Sequence, residues 1–363
     1  MKTKIFLPLL LMVTMLVSNQ LNSEPKRMVL EFCTGTWCGW CPCGHQAADQ
    51  ILLTYPNTIV IAYHGASSDP WQNFPGNTIR SLLGFSAYPT GVFDRTNHPG
   101  NNGAPYPYVT YTMWASYAQN RYTAAPNSSI DVLVTATNYN PGTRQYTATF
   151  NSTAVTNLTG QYKVMYVITE DNVVYPQNFY ASCGAAGYHN DYVHEDIARI
   201  VPVPAGENLN TGTWNQNQTI TKNVNITLDT AWVASNCRLN IIVYKDSSNL
   251  FHAAVEQGTK QSVTGMVGIV NTNEIPLEYS LSQNYPNPFN PVTNIQFSIP
   301  KDGFVSLKIF NSRGQLVDTY TEGFMSSGKY NADFDGTKLA SGVYFYTLTA
   351  GDFVQTKKMI LIK

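Results

Sequence analysis

The stretch "CTGTWCGWCPCGH", residues 33 to 45, places four cysteines and a histidine directly after an apolar run. Thiols at that density can exchange electrons with another protein's thiols, hold a metal ion, or staple the chain. Exchange requires a thiolate that attacks and a second thiol that resolves the mixed disulfide. Cys38 and Cys41 are spaced for these roles. A strand is read before them and a helix after, so Cys38 is expected at a helix N-terminus, where unpaired N–H groups and the dipole favour negative charge. The competing reading makes Cys38 and Cys41 a permanent disulfide. Cys33, ending the strand, and Cys43, in the first helical turn, are expected to form a second bridge if their Cα atoms fall within about 7 Å. A zinc or copper(I) site built from the four cysteines and His45 is the alternative; disulfides are favoured, and no metal or cofactor is expected.

The surrounding pattern says what must position these residues. "KRMVLEFC" reads as a strand, Pro42 to Leu53 as a helix with Ala47, Ile51 and Leu52 on its apolar side, and "TIVIAY" as a buried strand, which makes a β-α-β start. A helix is expected around Thr78 to Leu83, then "FSAYPTGVFDR" with a proline before a short strand, then an amphipathic helix in "YVTYTMWASYAQNRY". From about Ser129 helical periodicity gives way to alternating runs, "SIDVLVTAT", "QYTATFNST", "YKVMYVIT" and "RLNIIVYKD", between Asn, Gly and Pro turns; these predict an antiparallel, Ig-like β-sandwich. After a polar linker, the runs from "TNIQFSIP" to "FVQTKKMILIK" predict a second, smaller sandwich.

Composition fits an exported chain. Charged residues are 12% of the 363 and the formal net charge is -1, so no basic stripe offers a footing for nucleic acid. Lys2 and Lys4 precede an uncharged run from Ile5 to Val17, which reads as a secretory signal over residues 1–23. That run is shorter than the ~20 residues a span requires, so no transmembrane segment is expected in the mature chain. Export permits disulfides, and six cysteines suit them. Cys183 and Cys237 are expected to form a structural bridge in the middle domain. "YHNDYVHEDIAR", with His189, Asp191, His194, Glu195 and Asp196, matches no standard zinc spacing and reads as a solvated loop entering a short helix. His64, ending a parallel strand, reads as a structural histidine near the C-x-x-C.

A C-x-x-C between strand and helix in an exported chain resembles the thioredoxin superfamily. The resemblance implies that Pro89, in "AYPTG", is the cis-proline whose loop lies beside the motif and helps hold a partner's chain. It also places a buried acid six residues before the first cysteine; here Phe32 stands there, and Glu31, one residue earlier, falls on the other strand face. The block "LEFCTGTWCGWCPCGH" is similar, more narrowly, to the outer-membrane-protein-28-related family of Bacteroidetes-type bacteria, in which a thioredoxin-like unit is joined to a β-rich region. The tail, "YSLSQNYPNPFNPVTNIQFSIP", "VSLKIFNSRGQLV", "SGVYFYTLTAG" and "KKMILIK", resembles the C-terminal sorting domain of the type IX secretion system.

The expectation is therefore a multidomain α/β plus all-β chain: signal 1–23, thioredoxin-like domain 26–124, β-sandwich 127–262, linker 263–276 and sorting domain 277–363. The expected partners are the secretion machinery and protein thiols or disulfides, and the expected location is the medium or the outer-membrane surface, reached through the periplasm. Two functions follow from the residues. One is thiol-disulfide exchange, with Cys38 attacking, Cys41 resolving and Pro89 shaping the partner site; the other is non-catalytic binding with the cysteines as staples. An open Cys38 sulfur beside Pro89 favours the first, and a sulfur buried under Trp40 the second.

Overall fold

The computed structural model describes residues 24–66, 68–97, 108–264, 276–301, 303–325, 328–336 and 339–363. The expected signal and most of the expected linker lie outside these residues. The β-α-β start is present: β1 (Val29–Thr34), α1 (Cys41–Thr54) and β2 (Ile59–His64), with β1 and β2 parallel from Val29 opposite Ile59 to Thr34 opposite His64. One helical turn, α2 (Ile79–Leu82), precedes β3 (Thr90–Phe93), which pairs antiparallel with β1. β4 (Val109–Thr110) pairs with β3, and α3 (Trp114–Ala124) returns over the sheet.

Every residue of β1 and β2 is buried, because both sheet faces are covered. Period-two alternation sorts the side chains between two cores. Leu30, Phe32, Val60 and Ala62 meet Ala48 and Ile51 of α1 and Trp114 and Ala118 of α3. Val29, Ile59, Ile61 and Tyr63 face the opposite layer with Phe74, Ile79 and Leu83.

The chain continues through β5 (Ile130–Asn140), β6 (Gln145–Ala154), β7 (Tyr162–Glu170), β8 (Gln177–Phe179), β9 (Gly187–His189), β10 (Ile197–Ile200), β11 (Thr219–Thr227), β12 (Cys237–Lys245) and β13 (Val255–Ser262). Strands from both sides of the boundary expected at 124–127 hydrogen-bond into one nine-stranded sheet, ordered β13-β12-β7-β10-β2-β1-β3-β4, with Glu207–Asn208 added to β7. The two segments share a sheet instead of closing separately. β7 and β12 explain how. Met165, Val167, Ile242 and Tyr244 point into the core that also holds Ile59 and Tyr63, while Val164, Tyr166, Ile168, Leu239 and Ile241 pack against the three-stranded sheet β11-β6-β5. The helix expected near Asp196–Arg199 is instead the strand β10, parallel to β2 at Ile197 and antiparallel to β7.

Residues 276–363 form two further sheets around a core of their own. β14 (Ser280–Leu281), β15 (Val292–Ile299) and β18 (Gly328–Asp335) make one; β16 (Gly303–Asn311), β17 (Leu316–Met325), β19 (Gly342–Ala350) and β20 (Phe353–Leu361) make the other. Ile295, Phe297, Leu307, Ile309, Tyr346, Leu348 and Met359 fill the space between them.

On the face of β1 away from α1, Glu31 is locked by Arg95, with Nε donating to Oε2 at 2.6 Å and Nη2 to Oε1 at 2.8 Å, and Tyr63 OH donates to Oε1 at 3.0 Å. Both charges are buried. Removing one member strands the other, so Arg95→Ala should cost about 3–5 kcal/mol. A Glu31→Leu/Arg95→Met pair should recover most of that loss. Urea denaturation of the three proteins tests this, and a single-variant loss below ~1 kcal/mol would mean that the remaining charge stays hydrated.

Candidate functional site

α1 begins at Cys41 with Pro42 in its first turn, where a missing N–H breaks no helical bond. Cys38 lies one turn before, with Cys41 N donating to Cys38 O at 3.1 Å, and the two sulfurs form a disulfide with Cα atoms 5.4 Å apart. Pro89 follows a cis peptide bond at Tyr88 and packs on α1 at Gly44, where an added Cβ would stand 2.9 Å from the proline ring. Glycine at position 44 thus lets the proline loop approach the helix beside the disulfide. A cleft of about 330 Å³ opens there, lined by Trp40, Tyr88, Pro89, Thr90, Thr110 and Tyr111 among others. Of the sequence-predicted trio, Cys38 and Cys41 are bonded at the start of α1, and Pro89 packs on the same helix at Gly44.

The other cysteine pairings are corrected. Cys43 is bonded to Cys183, 140 positions away, while Cys33 and Cys237 are free and buried. Strand alternation is the reason for the first change. Phe32 and Thr34 point to α1, with Thr34 Oγ1 3.1 Å from His45 Nε2, so Cys33 points to the other face. There it donates to Ala87 O at 2.9 Å, and burial pushes its thiol up to about 11 despite the bonds to Thr90. Cys237 opens β12 inside the sandwich core, where burial and the facing Glu170 push it up to about 12.

Cys183 belongs to residues 171–196, which join β7 to β10 and fold back as a cap over the C-x-x-C. Val173–Val174 pairs with Val193–His194, and β8 pairs with β9. Gln177 Nε2 donates to Cys38 O at 3.0 Å, Asn178 Nδ2 to Trp37 O at 3.1 Å, and Tyr180 N to Gly39 O at 2.9 Å. The Tyr180 ring lies where a Cβ on Gly39 would be, at 2.6 Å, and meets Trp40 edge-on at 5.3 Å. Cys38 consequently retains 5% of its surface and Cys41 none, whereas Trp40 is 40% exposed beside the cleft. The cap contacts of Gln177, Asn178 and Tyr180 were missing from the sequence reading, since hydrogen bonds from 139 to 141 residues away leave no local signal.

Beneath the cap, His45, His64 and His194 meet. His64 ends β2 and donates from Nδ1 to Asp69 Oδ2 at 3.0 Å; backbone N–H groups of Thr36 and Trp71 hold that carboxylate, each at 2.8 Å. His194 comes from the cap and is buried, which corrects the solvated-loop reading, while His189 and Asp191 lie apart from this cluster. Burial and the neighbouring rings hold His45 well below the usual imidazole range and lower His194 to about 3. Both rings are neutral at pH 7. Phe32 fills the place of the expected acid and packs on His45 and Trp114, so Glu31 has no access to the disulfide.

Residues 77–266, more than half of the chain, match the family described as outer membrane protein Omp28, and residues 283–363 match the family described as secretion system C-terminal sorting domain. The first match begins after the C-x-x-C and includes Pro89, Cys183 and His194. No curated protein matches the chain. Among solved structures, HBP35 of Porphyromonas gingivalis aligns over 94% of this chain and 99% of its own, at 18% identity and a TM-score of 0.54. The sporulation control protein Spo0M of Bacillus subtilis aligns over 64% and 90%, at 8% identity and a TM-score of 0.22. The likeness to the first is one of fold; the second is too distant to carry an argument.

Proposed function

The chain belongs to the outer membrane protein Omp28 family, and from that premise we propose that residues 26–124 hold a thioredoxin-like domain that exchanges thiols and disulfides with other proteins outside the cell. The sorting tail and the family direct the chain to the cell surface or outer membrane. Among the described residues no helix is long and apolar enough to cross a membrane. The tail's partner is the type IX secretion machinery.

One observation carries the proposal: a disulfide at the start of α1 lies one turn from Gly44, where a cis-proline loop packs on the same helix and, with Trp40, lines an apolar cleft. The order β2-β1-β3-β4, with β1 and β2 parallel and β3 and β4 antiparallel to their neighbours, supports the thioredoxin-like reading. A partner's chain laid along the cleft would pass Trp40, Pro89 and Tyr111 and bring its sulfur to Cys38. When Cys38 attacks a partner disulfide it expels one partner thiolate, and Cys41 resolves the mixed disulfide and releases the second; in the other direction a partner thiolate attacks Cys38 and expels Cys41, and a second partner thiolate resolves the mixed disulfide and leaves both cysteines reduced. A second reading, binding without turnover, is favoured by the near-complete burial of Cys38 under the cap. Exchange therefore requires the cap to yield.

The test separates the two. With Cys41→Ser, the reduced protein should attack a partner disulfide through Cys38, expel one partner thiolate and stay trapped as the mixed disulfide, with an apparent Cys38 pKa below the ~8.5 of a free cysteine. Cys38→Ser should trap none. Cys33 supplies an internal control, because a buried thiol raised to about 11 stays unmodified at pH 8. A Cys38 that alkylates no faster than Cys33 in the folded protein leaves the binding reading in its place.

A further inference from the structure

The three histidines under the cap are drawn from three distant parts of the chain: the second turn of α1, the end of β2 and the cap's inner strand. They are 7%, 0% and 0% exposed for His45, His64 and His194. One ring nitrogen from each lies within 4.8 Å of the others. The hydrogen bonds around them set the tautomers. His64 gives its Nδ1 proton to Asp69, which leaves a lone pair on Nε2; His194 gives its Nε2 proton to Tyr175 O at 3.1 Å, which leaves a lone pair on Nδ1. Neither of these two nitrogens has a partner, although both are shut away from water. Two bare acceptors aimed into one buried space are costly in a folded protein unless something fills that space.

We propose that His45, His64 and His194 form a site for a divalent transition metal of the zinc class, with Asp69 as a positioning residue for His64. Neutral imidazoles are the donors such ions take, and neither a thiolate nor a carboxylate lies among the three. A carboxylate holding the far nitrogen of a ligating histidine is the usual outer arrangement, and here Asp69 is itself fixed by two backbone N–H groups. Tetrahedral zinc with Zn–N of about 2.0–2.1 Å places its nitrogens about 3.4 Å apart, so the rings need close by up to ~1.4 Å. Thr34 Oγ1, beside His45, or water is left for the fourth position. The site joins α1 and β2 to the cap, so a bound ion would tie the cap down from within while Cys43–Cys183 ties it from outside.

The experiment uses the full chain in its oxidised form, with both disulfides closed so that their thiols cannot compete, after treatment with a chelator. Zn²⁺ titration followed by metal analysis should give one ion per chain. His194→Ala should weaken binding by at least ~100-fold and Asp69→Asn by about 10- to 100-fold, while His189→Ala, on the same cap but outside the cluster, should leave it unchanged. X-ray absorption on the zinc-loaded parent protein should show imidazole nitrogens as the ligands, a readout that does not depend on any variant folding. Failure to bind one equivalent, binding that survives His194→Ala, loss of binding in His189→Ala, or a zinc shell without histidine would overturn the proposal.

Discussion

Replacing Cys43 and Cys183 together by serine should lower the stability of the two-sheet body by up to about 5 kcal/mol and open Cys38 to reagents. The first effect follows from chain entropy. The bridge spans 140 positions, and closing a loop of that length in the unfolded chain removes about 5 kcal/mol of conformational freedom. The second follows from what the bridge holds. The cap reaches Cys38 through Gln177, Asn178 and Tyr180, and Cys183 O accepts from Gln46 Nε2 of α1 at 2.9 Å, next to the bridge itself. Cutting the bridge leaves the cap to its non-covalent contacts, the hydrogen bonds among them each worth about 1 kcal/mol net. Opening of the cap should become more frequent by at least about tenfold, the equivalent of ~1.4 kcal/mol. With Cys38–Cys41 reduced by a mild thiol that spares Cys43–Cys183 in the parent protein, alkylation of Cys38 should accelerate in the variant by that factor. Urea unfolding and timed alkylation measure the two effects. A stability loss under ~1 kcal/mol with an unchanged rate would show that the cap stands without its bridge, and would detach Cys43–Cys183 from any control of Cys38.

That bridge also marks where sequence reading stops. The β-α-β start, the proline before β3 and the alternating strands of the tail are legible because each rests on a local signal: period two, period 3.6, or a turn residue. Cys33 at the end of a strand and Cys43 in the first turn of the next helix read as candidates for a bridge, but a strand turns alternate residues to opposite faces, and Thr34, not Cys33, faces α1. Attention to that alternation alone would have removed the pairing. The true partner, Cys183, lies on an insertion whose return path across the sheet no local pattern specifies. One signal was available and pointed the right way. "VMYVI" in β7 and "NIIVY" in β12 are nearly continuous apolar runs, which mark strands covered on both faces instead of one. A free-standing sandwich needs only one covered face, so those runs already imply that the sheet continues into the α/β layer. His194 shows the converse limit. Its neighbours Asn190, Asp191, Glu195 and Asp196 are polar, and only the fold-back of the cap buries it against His64 and Trp71.

Removing residues 277–363 should abolish surface delivery while leaving the rest of the molecule folded. The tail's core is closed within itself: its members run from Leu281 to Leu361, and the three other cores draw every residue from Met28 to Val263. Truncation thus strips no apolar cover from the disulfide site, and the unfolding midpoint of the remaining body should be unchanged within error. Delivery should depend on the tail as a folded unit as well as on its sequence. Cutting only residues 353–363 removes β20, which pairs with β19 along its whole length and supplies Met359 and Leu361 to the core. Losing two fully buried side chains of that size costs about 2–5 kcal/mol each, enough to unfold a domain this small. The short deletion should therefore match the long one, with the protein held in the periplasm and the surface signal reduced to background. Fractionation of cells carrying each form, probed with an antibody against the disulfide-bearing body, reads the outcome. Surface amounts equal to those of the full chain after the long deletion would disprove the assigned role of the tail, whereas a short deletion that still sorts would place the address in residues 277–352 without need of the folded sheet.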